Sequence, residues 1–351
     1  MNINKQRLPI VKIITQGLLP SPIKIWLYKL KGAKIGPRVK IGFGTVVSAR
    51  ESMEIDANTT IGMFSVIECA RLRIGKRTAI RPFVLINVED VSIGDDVTIS
   101  EIAIIRTLVP SRQSKIVIHN RVHIFPFTLI DPSRLIEIGE ESSVGYDTYI
   151  FTHGAYKSKL DGYPVEFGEV HIGKRVWIPC RVFIMPSVKI GDDAVIGTGA
   201  LVNSDIPAGV LAVGTPARAI KTKEQYVIGF SEEKKFLILV DILNEFCQYL
   251  QDYVHAIWRV TNVDRSPEWR ITFAKGRKWS GIELVVSPSN ANCECLSVIL
   301  QDVPGEMQKT WNSSGKMWFS IGSGQCSEYL DDLGEELREF FKRYGLYFAR
   351  P

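Results

Sequence analysis

Between about Ile35 and Val202 an apolar branched residue returns at every sixth position, often with glycine after it. The series begins Ile35-Gly36, Ile41-Gly42, Val47 and continues Ile55, Ile61-Gly62, Ile67. It ends Ile172-Gly173, Ile178, Ile184, then Ile190-Gly191, Ile196-Gly197, Val202. A helix of 3.6 residues per turn cannot keep a period of six on one face, and a single strand would show a period of two. A triangular coil of short parallel strands can keep it, with one inward anchor and one corner per hexad, and such internal periodicity marks a solenoid. Three hexads make a coil, and the coil starts fall at Ile35, Ile55, Ile74, Ile93, Ile118, Ile138, Ile172 and Ile190. Two intervals are too long, which places insertions at about Thr107–Lys115 and Gly154–Glu169. Stacked at strand spacing of about 4.8 Å, the coils predict a prism roughly 40 Å long. Glycines such as Gly36, Gly75 and Gly197 are expected where a Cβ would clash at a turn. A regular prism needs no loops, so the long interruption entered through Phe151-Thr152-His153-Gly154 is expected to be functional.

The pattern differs at both ends. Residues 1–30 alternate basic and apolar positions: Lys5, Arg7, Lys12, Lys24 and Lys29 stand among Leu8, Ile10, Val11, Leu18, Leu19, Ile25, Trp26 and Leu27, broken by Pro20 and Pro22. One reading is a helical cap that hides the open strand edges of the first coil. The other is attraction to an anionic membrane face or a lipid-phosphate-linked substrate, and the two are compatible. After Lys221 the hexads stop. Ser231-Glu232-Glu233 opens a helical pattern carried by Phe236, Leu237, Val240, Leu243, Phe246 and Leu250. Strands are predicted over Arg270–Phe273, Ile282–Val286, Leu296–Leu300 and around Met317, and a last helix from about Glu328 to Tyr344. Three regions follow: a cap over 1–30, the prism over 31–222, and an α+β domain over 223–351. Trp258, Trp269, Trp279, Trp311 and Trp318 lie in or beside that last domain, where aromatic rings either fill a core or stack on sugars.

Charge sharpens the picture only at the start of the chain. Residues 1–50 hold ten Lys or Arg and no Asp or Glu, although the whole chain of 351 residues has a formal charge of only +5. No nucleic-acid partner is expected. No apolar run is long enough to span a bilayer, and no signal-peptide pattern opens the chain, so a cytoplasmic protein is expected, with peripheral membrane contact through residues 1–50. The six scattered cysteines suit a reducing compartment. Cys293-Glu294-Cys295 has no second Cys or His pair nearby and reads as part of a strand.

The chemistry concentrates on Phe151-Thr152-His153, on Val170-His171-Ile172-Gly173-Lys174-Arg175-Val176-Trp177-Ile178, on Ile190 to Ala200, and on Val213-Gly214-Thr215-Pro216-Ala217-Arg218-Ala219-Ile220-Lys221. In this order they resemble the left-handed β-helix, hexapeptide-repeat acyltransferases, in the branch of sugar O- and N-acetyltransferases that includes maltose, galactoside and xenobiotic acetyltransferases. The resemblance covers residues 31 to about 222 and implies a mainly β fold, a left-handed parallel β-helix. It implies acetyl-CoA or another acyl-CoA as co-substrate and no metal. It matches His153 to the family's catalytic histidine, a general base suited to neutral pH. The motif contains no cysteine, which favours direct transfer over an acyl-enzyme. Trp177 matches a Trp near the thioester arm, and Gly197 and Gly199 match the strip along which the pantetheine arm lies. Arg218 and Lys221, with Lys223 beyond them, suit the phosphates of coenzyme A. Here Gly154 and Ala155 follow the histidine and Pro179 and Cys180 follow Trp177-Ile178, both departures from the family pattern. The residue that orients His153 is left open, with Asp147 and Glu166 as candidates.

The expected activity is acyl transfer, most simply acetyl transfer, to a hydroxyl or amine of a sugar or sugar-nucleotide in a surface-polysaccharide pathway. A homotrimer is expected, with the site between subunits. Three alternatives remain: a non-catalytic prism, an acyltransferase acting on a non-sugar metabolite, and a zinc site of the γ-carbonic-anhydrase kind on His119, His123 and His153. The histidine order argues against the zinc site. A nucleotidyltransferase would need a Gly-rich nucleotide-binding domain before the prism, and none is present.

Overall fold

A computed structural model describes residue 11 and residues 13–350, except 110, 155–156, 254–258, 265–268, 276–277, 286–290 and 292–295. The chain divides into two compact units, Met1–Val227 and Ile228–Pro351.

The first unit is the coil that the hexads predict. Each expected coil start pairs in parallel with the next: Ile35 with Ile55, Ile55 with Ile74, Ile74 with Ile93, Ile93 with Ile118, Ile118 with Ile138, Ile138 with Ile172 and Ile172 with Ile190. A last bridge joins Ile190 to Ile206. The second face stacks Ile41, Ile61, Ile80, Ile99, Ile124, Val144 and Ile178, and the third stacks Val47, Ile67, Ile86, Ile105, Ile130, Ile150, Ile184 and Val202. These anchors are buried in one continuous core. The architecture is the expected one, mainly β, with a parallel β-helix behind an N-terminal helix and a smaller sheet domain after it.

The corners follow rules that the sequence pattern does not display. Three residues before each second- or third-face anchor the backbone is left-handed, and most occupants are not glycine: Arg38, Asn58, Phe64, Arg77, Phe83, Asp96, Ile102 and Arg121 all have φ between 54 and 62°. Left-handed backbone is disfavoured for such residues. Here it aims each amide at a carbonyl of the preceding coil, as in Asn58 N to Pro37 O at 3.0 Å and Phe64 N to Phe43 O at 2.9 Å. The expected glycines serve a different purpose. A Cβ on Gly75 would lie 2.2 Å from Asp95 Oδ1 and 2.6 Å from the Gly94 carbonyl carbon, so glycine is needed there because adjacent coils nearly touch.

At the corner between the first and second faces the side chains form an ionic ladder. Arg77 reaches Asp96 (2.6 and 2.9 Å), Arg121 reaches Glu141 (2.7 and 3.0 Å), and Arg175 reaches Asp193 (2.7 and 2.9 Å). The third corner behaves differently. Within every coil the anchors step by six. From the third face to the next first face the steps are eight, seven, seven, thirteen, eight, twenty-two and six residues. Every irregularity is collected at one corner.

The cap helix, Ser21–Leu30, buries Lys24 and Tyr28 and leaves Ile23, Trp26 and Leu30 exposed. The first coil has no neighbour on that side, so its backbone groups need partners. Lys24 Nζ donates to the carbonyls of Gly42 (2.6 Å) and Thr45 (3.1 Å). Ile41 N donates to Ser21 Oγ (2.9 Å) and Val47 N to Tyr28 Oη (3.2 Å). The inner side of the cap thus combines these polar contacts with the Tyr28 ring and Ile25, which pack on the core.

In the second unit the helix Glu232–Tyr253 buries Leu243, Phe246 and Leu250 as its spacing predicts; Leu239 and Ile242 join them, Phe236 and Val240 are partly buried, and Leu237 is exposed. A six-stranded sheet follows, Arg259–Asp264, Trp269–Lys275, Lys278–Val285, Leu296–Ile299, Trp318–Ser320 and Gln325–Cys326, and the chain then forms the helix Asp332–Phe341. That helix starts later than expected because Asp331 caps it, its side chain accepting from Gly334 N. Three elements escape the pattern: the strand Arg259–Asp264, the helix Gly305–Ser314 and the short strand Gln325–Cys326. The stacking surface expected of the tryptophans is not available at Trp318, which is fully buried in an apolar cluster, with Trp311 packed against it. Trp258 and the side chains of Trp269 and Trp279 lie outside the described residues, as do Cys293 and Cys295.

Candidate active site

His153 leaves the third corner where the longest insertion begins. It pairs in antiparallel fashion with Phe167, and Gly154 pairs with Glu166, so the excursion starts and ends as a two-stranded pin. Thr152, buried beside it, donates to Asp131 O (2.7 Å) and accepts from Arg134 N (3.0 Å), fastening this coil to the previous one. The His153 ring stacks on Phe167 with centroids 6.0 Å apart, and the Arg134 guanidinium lies 4.9 Å from the same ring.

The carboxylate that lies against the His153 ring is that of Asp131. It is fully buried, and Oδ2 forms an ion-pair contact with His153 Nδ1. Oδ1 accepts from Ser133 Oγ (2.8 Å) and Leu108 N (3.1 Å). Leu108 belongs to the first insertion and His153 to the second, so both departures from the hexad rule converge on this carboxylate. A buried carboxylate is costly unless it is hydrogen-bonded or paired; here Oδ1 is hydrogen-bonded, while Oδ2 has only the contact with His153 Nδ1 and no hydrogen bond. His153 Nδ1 lies against Asp131, and Nε2 has no partner among the described residues.

Neither open candidate fills this role. Asp147 accepts from Tyr149 Oη (2.9 Å) and contacts Arg181 Nε (3.3 Å); that bond to Asp147 is the main cause of a raised Tyr149 pKa. Glu166 is exposed on the returning strand of the pin. A usable signal for Asp131 was present in the hexads. It directly follows the third-face anchor Ile130, and register sets it beside Phe151, two residues before His153.

The other sequence-derived positions lie elsewhere on the coil. Trp177 is exposed on the second face, between Ser143 and Val195 of neighbouring coils. Arg218 and Lys221 lie on the exposed closing strand Ala217–Thr222, which runs antiparallel to Val210–Gly214 at the end of that same face. Lys223 is instead committed to Asp193, 3.3 Å away, extending the ionic ladder. Gly199 takes the left-handed corner conformation (φ 73°) with open space where a Cβ would stand, and its amide donates to Cys180 O (3.1 Å). Gly197 is packed for coil contact, since a Cβ would lie 2.7 Å from Val213. Within one chain, then, the histidine and the Trp177–Lys221 surface occupy different faces.

The three histidines of the zinc alternative do not converge within the chain. His119 bonds Glu137 (2.8 Å) near the first face, while His123 lies on the second face, stacked on Phe125 and 3.1 Å from Ser100 Oγ. Among the described residues no group of three His, Cys, Asp or Glu is placed to hold a metal. His171, facing Glu137 and Glu169 at 3.2 Å each, joins His119 in a first-face network. Glu137 is held below the usual carboxylate range, chiefly by the His119 hydrogen bond.

Comparison with known proteins agrees with the hexad reading. Residues 169–204 match the family described as bacterial transferase hexapeptide (six repeats). The chain is 50% identical over 52 residues to galactoside O-acetyltransferase of Escherichia coli, covering 15% of this chain and 26% of that one. It is 37% identical over 91 residues to a chloramphenicol acetyltransferase of Morganella morganii, covering 26% and 40%. The chain spans about half or less of the length of these curated relatives. Among solved structures, UDP-N-acetylglucosamine acyltransferase from Campylobacter jejuni aligns over 63% of this chain and 81% of its own, at 19% identity and a TM-score of 0.44.

Proposed function

We propose that this protein is an acyl-CoA-dependent acyltransferase, with acetyl as the simplest acyl group, acting on a hydroxyl or amine of a sugar or sugar-nucleotide. The observation that carries the reading is the His153–Asp131 pair at the junction of the two insertions. Asp131 fixes Nδ1 and so presents Nε2 to the acceptor. As the acceptor oxygen or nitrogen attacks the thioester carbonyl, Nε2 takes its proton. The new ester or amide bond forms, the carbon–sulfur bond breaks, and the coenzyme A thiolate leaves and recovers the proton from the imidazolium. Asp131 stabilises that imidazolium in a site where the charge is shielded from water.

The exposed Arg218 and Lys221 provide cations for the coenzyme A phosphates, and the open Gly199 corner gives the pantetheine arm room to approach the backbone. Trp177 stands on that same face. Because His153 leaves the third corner and these groups line the second face, the complete site requires two copies packed side by side, as in a homotrimer. An active monomer in light scattering at assay concentration would rule out this arrangement.

The direct test is to incubate the protein with acetyl-CoA and a panel of amino sugars, sugars and sugar-nucleotides while following free thiol. Thiol release that depends on one acceptor class supports the reading. Release independent of any acceptor, or none with any acyl-CoA, would overturn it. Preference for a non-sugar amine or alcohol would move the substrate class and keep the reaction.

A further inference from the structure

The cap helix carries apolar side chains on its outer side as well as its inner one. At 100° per residue, the buried Lys24 and Tyr28 share one side, and Ile23, Trp26 and Leu30 share the opposite side. Ile23 is 45% exposed, Trp26 59% and Leu30 66%; before the helix, Leu18 is 47% and Val11 74% exposed. The inner side cannot be turned out, because Ser21, Lys24 and Tyr28 satisfy backbone groups of the first coil. The apolar stripe thus faces away from the coil, and it is left without a partner among the described residues.

The surrounding charge identifies the occupant. Among residues 1–50 there are ten Lys or Arg and no acidic residue. Lys29 and Lys31 are exposed at the end of this helix, with exposed Lys40 on the first coil. A short helix with a Trp-containing apolar stripe and a cationic rim, lacking any acidic residue, matches a membrane interface: the rings and aliphatic chains enter the headgroup region, and the lysines face anionic lipid.

We propose that the outer face of the cap, formed by Leu18, Ile23, Trp26 and Leu30 and rimmed by Lys29 and Lys31, docks this protein on an anionic lipid surface. No residue of this face belongs to the proposed catalytic or coenzyme A machinery, so the proposal and the activity reading can fail separately.

The test is sedimentation of the full chain with vesicles of phosphatidylcholine alone or mixed with phosphatidylglycerol. The protein should pellet with the anionic vesicles at low salt, and far less with the neutral ones. Added salt should weaken the binding, since exposed charges are screened within about 10 Å at 0.1 M. The triple variant Ile23→Ser, Trp26→Ser, Leu30→Ser should stay in the supernatant with an unchanged thermal midpoint and unchanged acyl transfer to a water-soluble acceptor. Lys29→Gln with Lys31→Gln should selectively weaken the anionic preference. A second readout does not depend on the triple variant folding: Leu30→Cys carrying an environment-sensitive fluorophore should brighten on anionic vesicles. Absence of pelleting, full binding by the triple variant, or no fluorophore response would each overturn the proposal. So would a smaller assembly of the triple variant in light scattering without lipid, which would assign the face to contact with a second protein copy.

Discussion

The first and third corners of the coil are built differently. At the first corner each step is six residues long, and the outward side chains pair along the axis: Arg77 with Asp96, Arg121 with Glu141, Arg175 with Asp193. At the third corner the steps range from six to twenty-two residues, and there the buried Asp131 meets His153. The lesson is about where a repeat can afford chemistry. A corner whose outward side chains pair along the axis commits those charges to holding the coils in register. A corner that accepts insertions can bring groups from two distant stretches together, while the other two corners keep the register fixed.

Four measurements test that contrast, from the largest expected effect down. His153→Ala should lower turnover by roughly 10²–10⁴-fold while leaving the thermal midpoint near that of the native protein. Wild-type turnover in this variant would remove the third corner from the chemistry. Asp131→Asn should cost less than His153→Ala, since the base remains but its orientation and charge partner change. It should also alter the pH profile of kcat, which a purely structural carboxylate would leave in place. Replacing Arg218 and Lys221 together with Ala should raise KM for acyl-CoA roughly tenfold, about 1.4 kcal/mol, and leave the acceptor KM nearly unchanged. Equal effects on both substrates would point to damage of the closing strand instead.

The smallest effect belongs to the first corner. The hydrogen bond from Arg175, ahead of that from Lys223, holds the Asp193 carboxyl at about 2, below its usual 3.8. A depressed carboxylate contributes stability above the unfolded pKa and loses it as pH falls through the folded one. Asp193→Asn should therefore lower stability near neutral pH by about 1 kcal/mol or less, since the pair is partly exposed. The difference from the native protein should shrink between about pH 4 and pH 2, and activity should be unaffected. A large activity loss at neutral pH would erase the distinction between the corners.

Much of the fold was legible because its cause is local and repeated. An inward Ile or Val every sixth residue fixes both the coil and its register, so Ile35 to Ile190 could be stacked from spacing alone. The corners were not legible in this way. Their left-handed positions are filled by Arg, Asp, Phe and Ile, none of which advertises that backbone, because the conformation is imposed by hydrogen bonds to the preceding coil. The polar contacts of the cap were hidden for a similar reason. Lys24 reads as a surface residue until the carbonyls of Gly42 and Thr45 are placed beneath it. His153 could be found from its motif. Asp131 could be found only by aligning its coil with the next, because the pair is 22 residues apart in sequence and adjacent only across a rung.

The coil also sets a distance. The capped edge is the coil of Val47, and Asp131 follows Ile130, four rungs further along the third-face stack. At about 4.8 Å per rung, Asp131, against which His153 lies, is held roughly 20 Å from the cap. With the cap resting on a lipid surface, the intervening rungs act as a spacer of fixed height. In that arrangement the number of rungs, and nothing in the cap itself, would set how far from the surface the His153–Asp131 contact stands.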